Sequence, residues 1–205
     1  MNEMHETNRQ RWNEDSSWWR ELRDKDGLWR RCPEEPELGF DAGALELLQE
    51  ATGGVASKDA CVVGSGDNYV AFALAGAGAN VTSVDISEAQ LGTAAERARE
   101  LDLSISFVRS DASDMRDLED SSFDLVCSSN GFFVWISDLE SVFSEVFRIL
   151  KPGGCYVFYD IHPFRRPWES HKGPLAVKTI LLGYGTLPRP RFSVVRIQLD
   201  DGRHP

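Results

Sequence analysis

Val62-Val63-Gly64-Ser65-Gly66-Asp67-Asn68 stands between a short β-type apolar run at 60–63 and a small, apolar helical run at 69–77. Glycines at a strand-to-helix junction let the chain turn tightly and let a ligand approach the backbone, while the first turn of the following helix offers N–H groups without partners. The G-x-G-x-x-G dinucleotide motif would need a glycine where Tyr69 stands, so this loop takes its weight from what surrounds it.

Outward from the loop, short apolar runs at 80–84, 105–108, 123–127 and 155–159 alternate with helical patterns. Ser87-Glu88-Ala89-Gln90 fits a capping box opening a helix to about residue 101. Ser137-Asp138-Leu139-Glu140 fits a second, followed by Leu139, Val142, Phe143, Val146 and Ile149 or Leu150 at helical spacing. Lys151-Pro152-Gly153-Gly154 ends that helix, because proline breaks the hydrogen-bond ladder and glycine accepts a left-handed backbone. Five strands with crossover helices predict an α/β fold with an open, doubly wound, mostly parallel sheet over 59–160.

The 205 residues are 41% hydrophobic and 27% charged, the composition of a globular chain. No apolar run approaches the roughly 20 residues of a membrane-spanning helix, and the first ten residues lack a signal-peptide core. Cys32, Cys61, Cys127 and Cys155 stand far apart with no metal-ligand spacing, so we expect no metal, reduced thiols and a cytoplasmic location. The lack of both a spanning run and a signal core argues against a membrane or secreted protein, and a net charge of −11 argues against a nucleic-acid binder that grips a phosphate backbone with its whole surface. Residues 161–205 depart from this balance with eight Lys+Arg against three Asp+Glu, either a solvated surface or a place for an anionic substrate.

Two flanks break the α/β rhythm. Residues 1–58 carry Trp12, Trp18, Trp19 and Trp29 among alternating charges and predict one or two amphipathic helices, their rings either stapling the helices to the sheet or forming a lid. Residues 161–205 hold six of the nine prolines and one strand-like segment at 192–199, which should lie at a sheet edge. An exposed edge is a template for a second chain, so a homodimer is one expectation.

Asp85 ends the second strand, where an acidic side chain of a doubly wound fold can accept both hydroxyls of a ribose. Asp111 follows the third strand at the same edge, where an adenine amino group can be read. With Val63-Gly64-Ser65-Gly66, Val84-Asp85-Ile86-Ser87, Ser110-Asp111-Ala112, Phe123-Asp124-Leu125-Val126 and Leu150-Lys151-Pro152-Gly153-Gly154 in this order, the chain resembles the small-molecule branch of the class I S-adenosylmethionine-dependent methyltransferases. The resemblance runs from about 59 to 160 and implies a Rossmann-like methyltransferase fold. It implies that Gly64, Ser65, Gly66 and Asp67 carry the methionine end of S-adenosyl-L-methionine, Asp85 and Ile86 the ribose, and Asp111 and Ala112 the adenine, with Ser129 also at the cofactor. Val62 replaces an acidic residue common in the family, Asn68 replaces a third glycine, and the C-terminus is short for a sheet that ends in two further strands, one antiparallel.

Methyl transfer from a sulfonium needs alignment and exclusion of water, and a base only where the acceptor must lose a proton. Two segments reach the acceptor side: Ser128-Ser129-Asn130-Gly131-Phe132-Phe133-Val134-Trp135 after the fourth strand, and Asp160-Ile161-His162-Pro163-Phe164 after the fifth. His162 is the candidate base, against a backbone-bonded turn histidine, and Asn130 the candidate for orienting the acceptor, against a plain turn residue. Phe133 and Trp135 are expected to wall the pocket. Methylation of a small molecule is the first reading. An NAD(P)-dependent oxidoreductase and a non-catalytic nucleotide-binding protein are the alternatives.

Overall fold

The structure, a computed structural model, describes residues 3–40, 43–128 and 131–160, and the backbone of 195–198. The strands are β1 (Asp59–Val63), β2 (Asn80–Asp85), β3 (Ile105–Arg109), β4 (Phe123–Ser128), β5 (Leu150–Phe158) and β6 (Val195–Gln198). They form one sheet in the order β3-β2-β1-β4-β5-β6, with β1 to β5 parallel and β6 antiparallel to β5. The strand order reverses at β1, between β2 and β4, and a doubly wound sheet opens its ligand crevice at the carboxyl ends beside such a reversal. The pairings Val63 with Val84 and Asp85 with Arg109 bring the ends of β1, β2 and β3 level there.

The helices are α1 (Glu3–Asp26), α2 (Ala44–Thr52), α3 (Tyr69–Gly76), α4 (Glu88–Glu100) and α5 (Leu139–Ile149). Alternation along β1 sends Val62 into a core with Trp29, Leu48, Phe72 and Leu74 on one face of the sheet. Val63 joins Met115, Val142, Val146 and Ile149 on the other. Both faces are covered, which is why β1 reads as a continuous apolar run. All four cysteines are free and buried, and burial pushes the Cys32, Cys61 and Cys127 thiols up, Cys32 to about 12.

Three local expectations are corrected. Ser87 caps α4 by accepting the Gln90 N–H at 3.1 Å, but its own N–H goes to Asp85 Oδ1 at 2.9 Å instead of to the Gln90 side chain. The cap of α5 is Asp138, which accepts from the Ser141 N–H at 3.0 Å, because Ser137 is engaged by His5. The fifth strand starts at Leu150, ahead of residue 155, since Leu150 pairs with Phe123 and a register shift between Phe123 and Leu125 absorbs the Pro-Gly-Gly turn.

The tryptophans of the N-terminal flank divide. Trp29 is buried in the core, with the Arg30 and Arg97 guanidiniums 4.0 and 4.9 Å from its ring centroid. Trp18 is exposed, while Trp12 and Trp19 face the cavity described below. Of the expected strand at 192–199, residues 195–198 pair with β5 at the sheet edge. No helix of the described residues is long and apolar enough to cross a membrane.

Candidate functional site

The loop after β1 is built on three left-handed residues: Gly64 (φ 64°), Gly66 (φ 46°) and Asn68 (φ 63°). Asparagine tolerates this conformation better than most side chains, so Asn68 supplies the backbone of the missing third glycine. It adds what glycine cannot, since its Nδ2 donates to the Gly66 carbonyl at 2.7 Å and its Oδ1 accepts from Ser83 Oγ at 2.5 Å. A Cβ on Gly64 would come 2.2 Å from the Phe132 ring, whereas one on Gly66 would meet nothing within 4 Å.

Asp85 sits at the end of β2, buried, with Oδ2 accepting from the Gly66 N–H and Oδ1 from the Ser87 N–H, both at 2.9 Å. Desolvation raises its carboxyl above the ordinary aspartate value, and these N–H donors oppose the rise. Asp111, also buried, takes the Ser113 N–H (3.0 Å) and hydroxyl (2.8 Å) on Oδ1. His5 Nδ1 lies 2.9 Å from Asp111 Oδ2 and 3.0 Å from Oδ1.

Helix α1 crosses the carboxyl edge of the sheet from Asp111 to the glycine loop. Asn8 Nδ2 donates to the Trp135 carbonyl at 2.9 Å, and Asn13 Oδ1 accepts from Ser87 Oγ at 2.6 Å and the Ala89 N–H at 3.2 Å. Near the far end Arg23 Nε donates to Asp67 Oδ2 at 2.7 Å, with its guanidinium 5.3 Å from the Trp19 ring centroid and 5.4 Å from that of Tyr69. Trp12 packs edge-on against Trp135 at 5.2 Å. Beneath the helix lies a cavity of about 590 Å³, within the size range of small-molecule and cofactor sites.

Gly64, Ser65, Gly66, Asp67, Asp85, Ile86, Asp111 and Ala112 all line this cavity, so the structure brings these eight sequence candidates together. Ser129, Asn130 and His162 lie outside the described residues. Among the described residues, Asp160 accepts from the Gly131 N–H (2.6 Å) and the Phe133 N–H (2.7 Å), tying residues 131–133 to the end of β5. Trp135 walls the cavity as expected, but Phe133 turns away to pack against Phe143 and Phe158, because those rings offer it an apolar site. The sequence reading missed His5, Asn8 and Arg23 of α1, and Leu38, Phe40 and Tyr159. For α1 a signal existed: His5, Asn8, Trp12 and Trp19 recur at intervals of three, four and seven, one face of a helix.

Ionised carboxylates accept and never donate, so Asp85 and Asp111 suit a ligand that presents donors. Ribose hydroxyls and an exocyclic amino group are such donors, and Val84, Ile86, Ala112 and Ile136 supply apolar surface for a planar base between them. A nucleoside fits this donor and acceptor set. The open space at Gly66 leaves the loop backbone accessible to the remainder of such a ligand.

Known proteins point the same way. Residues 61–158 match the methyltransferase domain family. Over 114 residues the chain is 34% identical to the ubiquinone biosynthesis O-methyltransferase of Methylococcus capsulatus, covering 56% of this chain and 47% of that protein. Over 92 residues it is 34% identical to the demethylmenaquinone methyltransferase of Leptospira interrogans, covering 43% and 36%. The chain thus spans about half the length, or less, of these curated relatives. Among solved structures, a protein from Methanococcus maripaludis described as S-adenosyl-L-methionine-dependent superposes with a TM-score of 0.57, at 20% identity, over 72% of this chain and 63% of that one, a likeness of fold.

Proposed function

We propose that this chain, whose residues 61–158 match the methyltransferase domain family, is an S-adenosylmethionine-dependent methyltransferase that transfers a methyl group from S-adenosyl-L-methionine to a small-molecule acceptor. One observation carries the reading: the glycine loop, Asp85 and Asp111, at the carboxyl ends of three successive strands, converge on one cavity whose buried acceptors match the donors of an adenosyl group. Asp85 then holds the ribose hydroxyls with Ile86 beside them, Asp111 reads the adenine amino group with Ala112 against the ring, and the Gly64-Ser65-Gly66 backbone faces the methionine end. Asp67 fixes that end of α1 through Arg23.

The bound cofactor supplies an already activated methyl group, so the protein's work is alignment and exclusion of water. Trp12 and Trp19 of α1, Trp135, and the Leu38–Phe40 segment line the cavity and supply apolar walls that favour exclusion of water once a ligand fills it. The names of the two relatives, for methylation in ubiquinone biosynthesis and of demethylmenaquinone, support a small acceptor. We assign His162 as the base where the acceptor loses a proton and Asn130 as the group that orients it. The net charge of −11 supports action on a small molecule away from nucleic acid, the four free cysteines support a cytoplasmic location, and the edge position of β6 supports pairing of two copies.

Calorimetric titration with S-adenosylmethionine and separately with NADH and NADPH tests this reading. Saturable binding of the first in preference to the other two is expected. Preference for a nicotinamide cofactor, or binding of none, contradicts it.

A further inference from the structure

His5 lies outside the span that matches the methyltransferase domain family, yet it is 2% exposed and reaches across 106 residues to Asp111. The backbone geometry selects one tautomer. Ser137 N is 3.1 Å from His5 Nε2, and a backbone N–H can only donate, so Nε2 is the acceptor; the Ser137 hydroxyl, 2.9 Å from the same nitrogen, can take either role and turns its hydrogen to suit. The ring proton of the neutral imidazole therefore sits on Nδ1, aimed at the Asp111 carboxylate 2.9 Å away. The opposite tautomer would set N–H against N–H at one end and a lone pair against a carboxylate at the other. Ser113 supplies two donors to Asp111 Oδ1, whereas Oδ2 has His5 as its one hydrogen-bond partner among the described residues. Asp111 is thus held from one side with lone-pair capacity left on Oδ2, at a residue that lines the cavity.

We propose that His5 is a positioning residue for base selectivity: by holding Asp111 as an oriented, acceptor-only carboxylate it makes the site select a 6-aminopurine nucleoside over a 6-oxopurine one. The inference rests on the cofactor reading above and adds to it that the selecting group is brought by α1, so the site is selective only when α1 is docked. An amino group meets Oδ2 as a donor. A 6-oxo group would place a second acceptor against it, and buried acceptors left facing each other are costly.

S-adenosylhomocysteine and its 6-oxo analogue S-inosylhomocysteine, titrated calorimetrically into the full chain, are the probes. The wild type should favour the amino compound by about tenfold or more, the scale of one lost hydrogen bond in a buried site. His5→Ala should bring the two affinities to within about threefold, while His5→Asn, which offers an amide N–H near the Nδ1 position, should keep most of the preference. A His5→Ala protein that discriminates like the wild type overturns the role of His5 and leaves the cofactor reading standing. A wild type that binds neither compound overturns the cofactor reading itself, and one that binds both equally removes Asp111 as the selector, and His5 with it. A second measurement needs no variant: the ¹⁵N shifts of the His5 ring in the wild-type protein should report a protonated Nδ1 and an unprotonated Nε2. The reverse pattern overturns the proposal whether or not His5→Ala folds.

Discussion

The Gly66 N–H donates to Asp85 Oδ2 at 2.9 Å, joining the turn after β1 to the end of β2 across nineteen residues. One bond therefore sets both the shape of the glycine loop and the orientation of the buried carboxylate. The partner oxygen, Oδ1, is set in the same way by the Ser87 N–H at the start of α4. A carboxylate held by two backbone donors is pre-organised, and each of its oxygens keeps room for one more donor.

Replacing this carboxylate should weaken cofactor binding without new contacts to compensate. Asp85→Ala is expected to cost about 1–3 kcal/mol of S-adenosylmethionine affinity, the range for leaving buried hydroxyl donors without a charged acceptor. Calorimetry on the folded variant reads this directly. Unchanged affinity would place the ribose elsewhere.

Burial raises the Asp85 carboxyl above the ordinary aspartate value, and the sign of the pH effect follows. In the pH window between the ordinary and the raised value the folded protein holds a proton that the unfolded chain has lost, so this group's contribution to stability falls as pH rises through that window. Ligand binding runs the other way, because accepting two hydroxyls needs the ionised form. Affinity should fall on acidification, beginning above the ordinary aspartate range, and Asp85→Asn should lack that step. Parallel profiles for the two proteins would assign the titration to another group.

The two loop glycines should separate folding from binding. Gly64→Ala drives a methyl into the Phe132 ring at a left-handed residue and should destabilise the fold by about 2–4 kcal/mol, overpacking added to backbone strain. Gly66→Ala meets open space, so its stability cost should stay near about 1 kcal/mol while its methyl, at a cavity-lining residue, weakens cofactor binding about tenfold. Denaturant unfolding beside calorimetry measures both, and equal stability losses for the two variants would count against the geometry.

Much of the core was legible because its signals are local. The strand-to-helix glycine loop, Asp85 and Asp111 after successive strands, and the apolar stripe of α5 each follow from short stretches of chain. Asn68 stands in the sequence as a departure from the family's third glycine, and its role as a substitute becomes visible only once Ser83 is known to lie beside this αL asparagine. The α5 cap shifted by one residue for a similar reason: Ser137 serves a histidine 132 residues away, which no local pattern encodes. His5 and Asn8 share a helix face with Trp12 and Trp19 in the sequence, but the groups they bond, like the Ser87 hydroxyl that Asn13 meets, become visible only when α1 is laid across the sheet edge.

Arg23 ties the C-terminal part of α1 to the glycine loop through Asp67, a partly exposed pair with aromatic stacking on Trp19 and Tyr69. Arg23→Ala should lower stability by about 1–2 kcal/mol, between the values of exposed and buried pairs, and speed protease cleavage within α1. In the wild type, saturation with S-adenosylhomocysteine should slow that cleavage, since a ligand beneath the helix favours its docked state. Identical cleavage rates with and without ligand would leave α1 as scaffold.

The central claim, that the cavity under α1 holds an adenosyl cofactor on Asp85 and Asp111, is tested most directly by a crystal structure of the chain with S-adenosylhomocysteine. The ribose hydroxyls are expected within hydrogen-bond distance of Asp85 and the adenine amino group at Asp111, with His5 still bonded behind it. A nucleoside bound outside this cavity, or one inside it with its ribose away from Asp85, would contradict the claim.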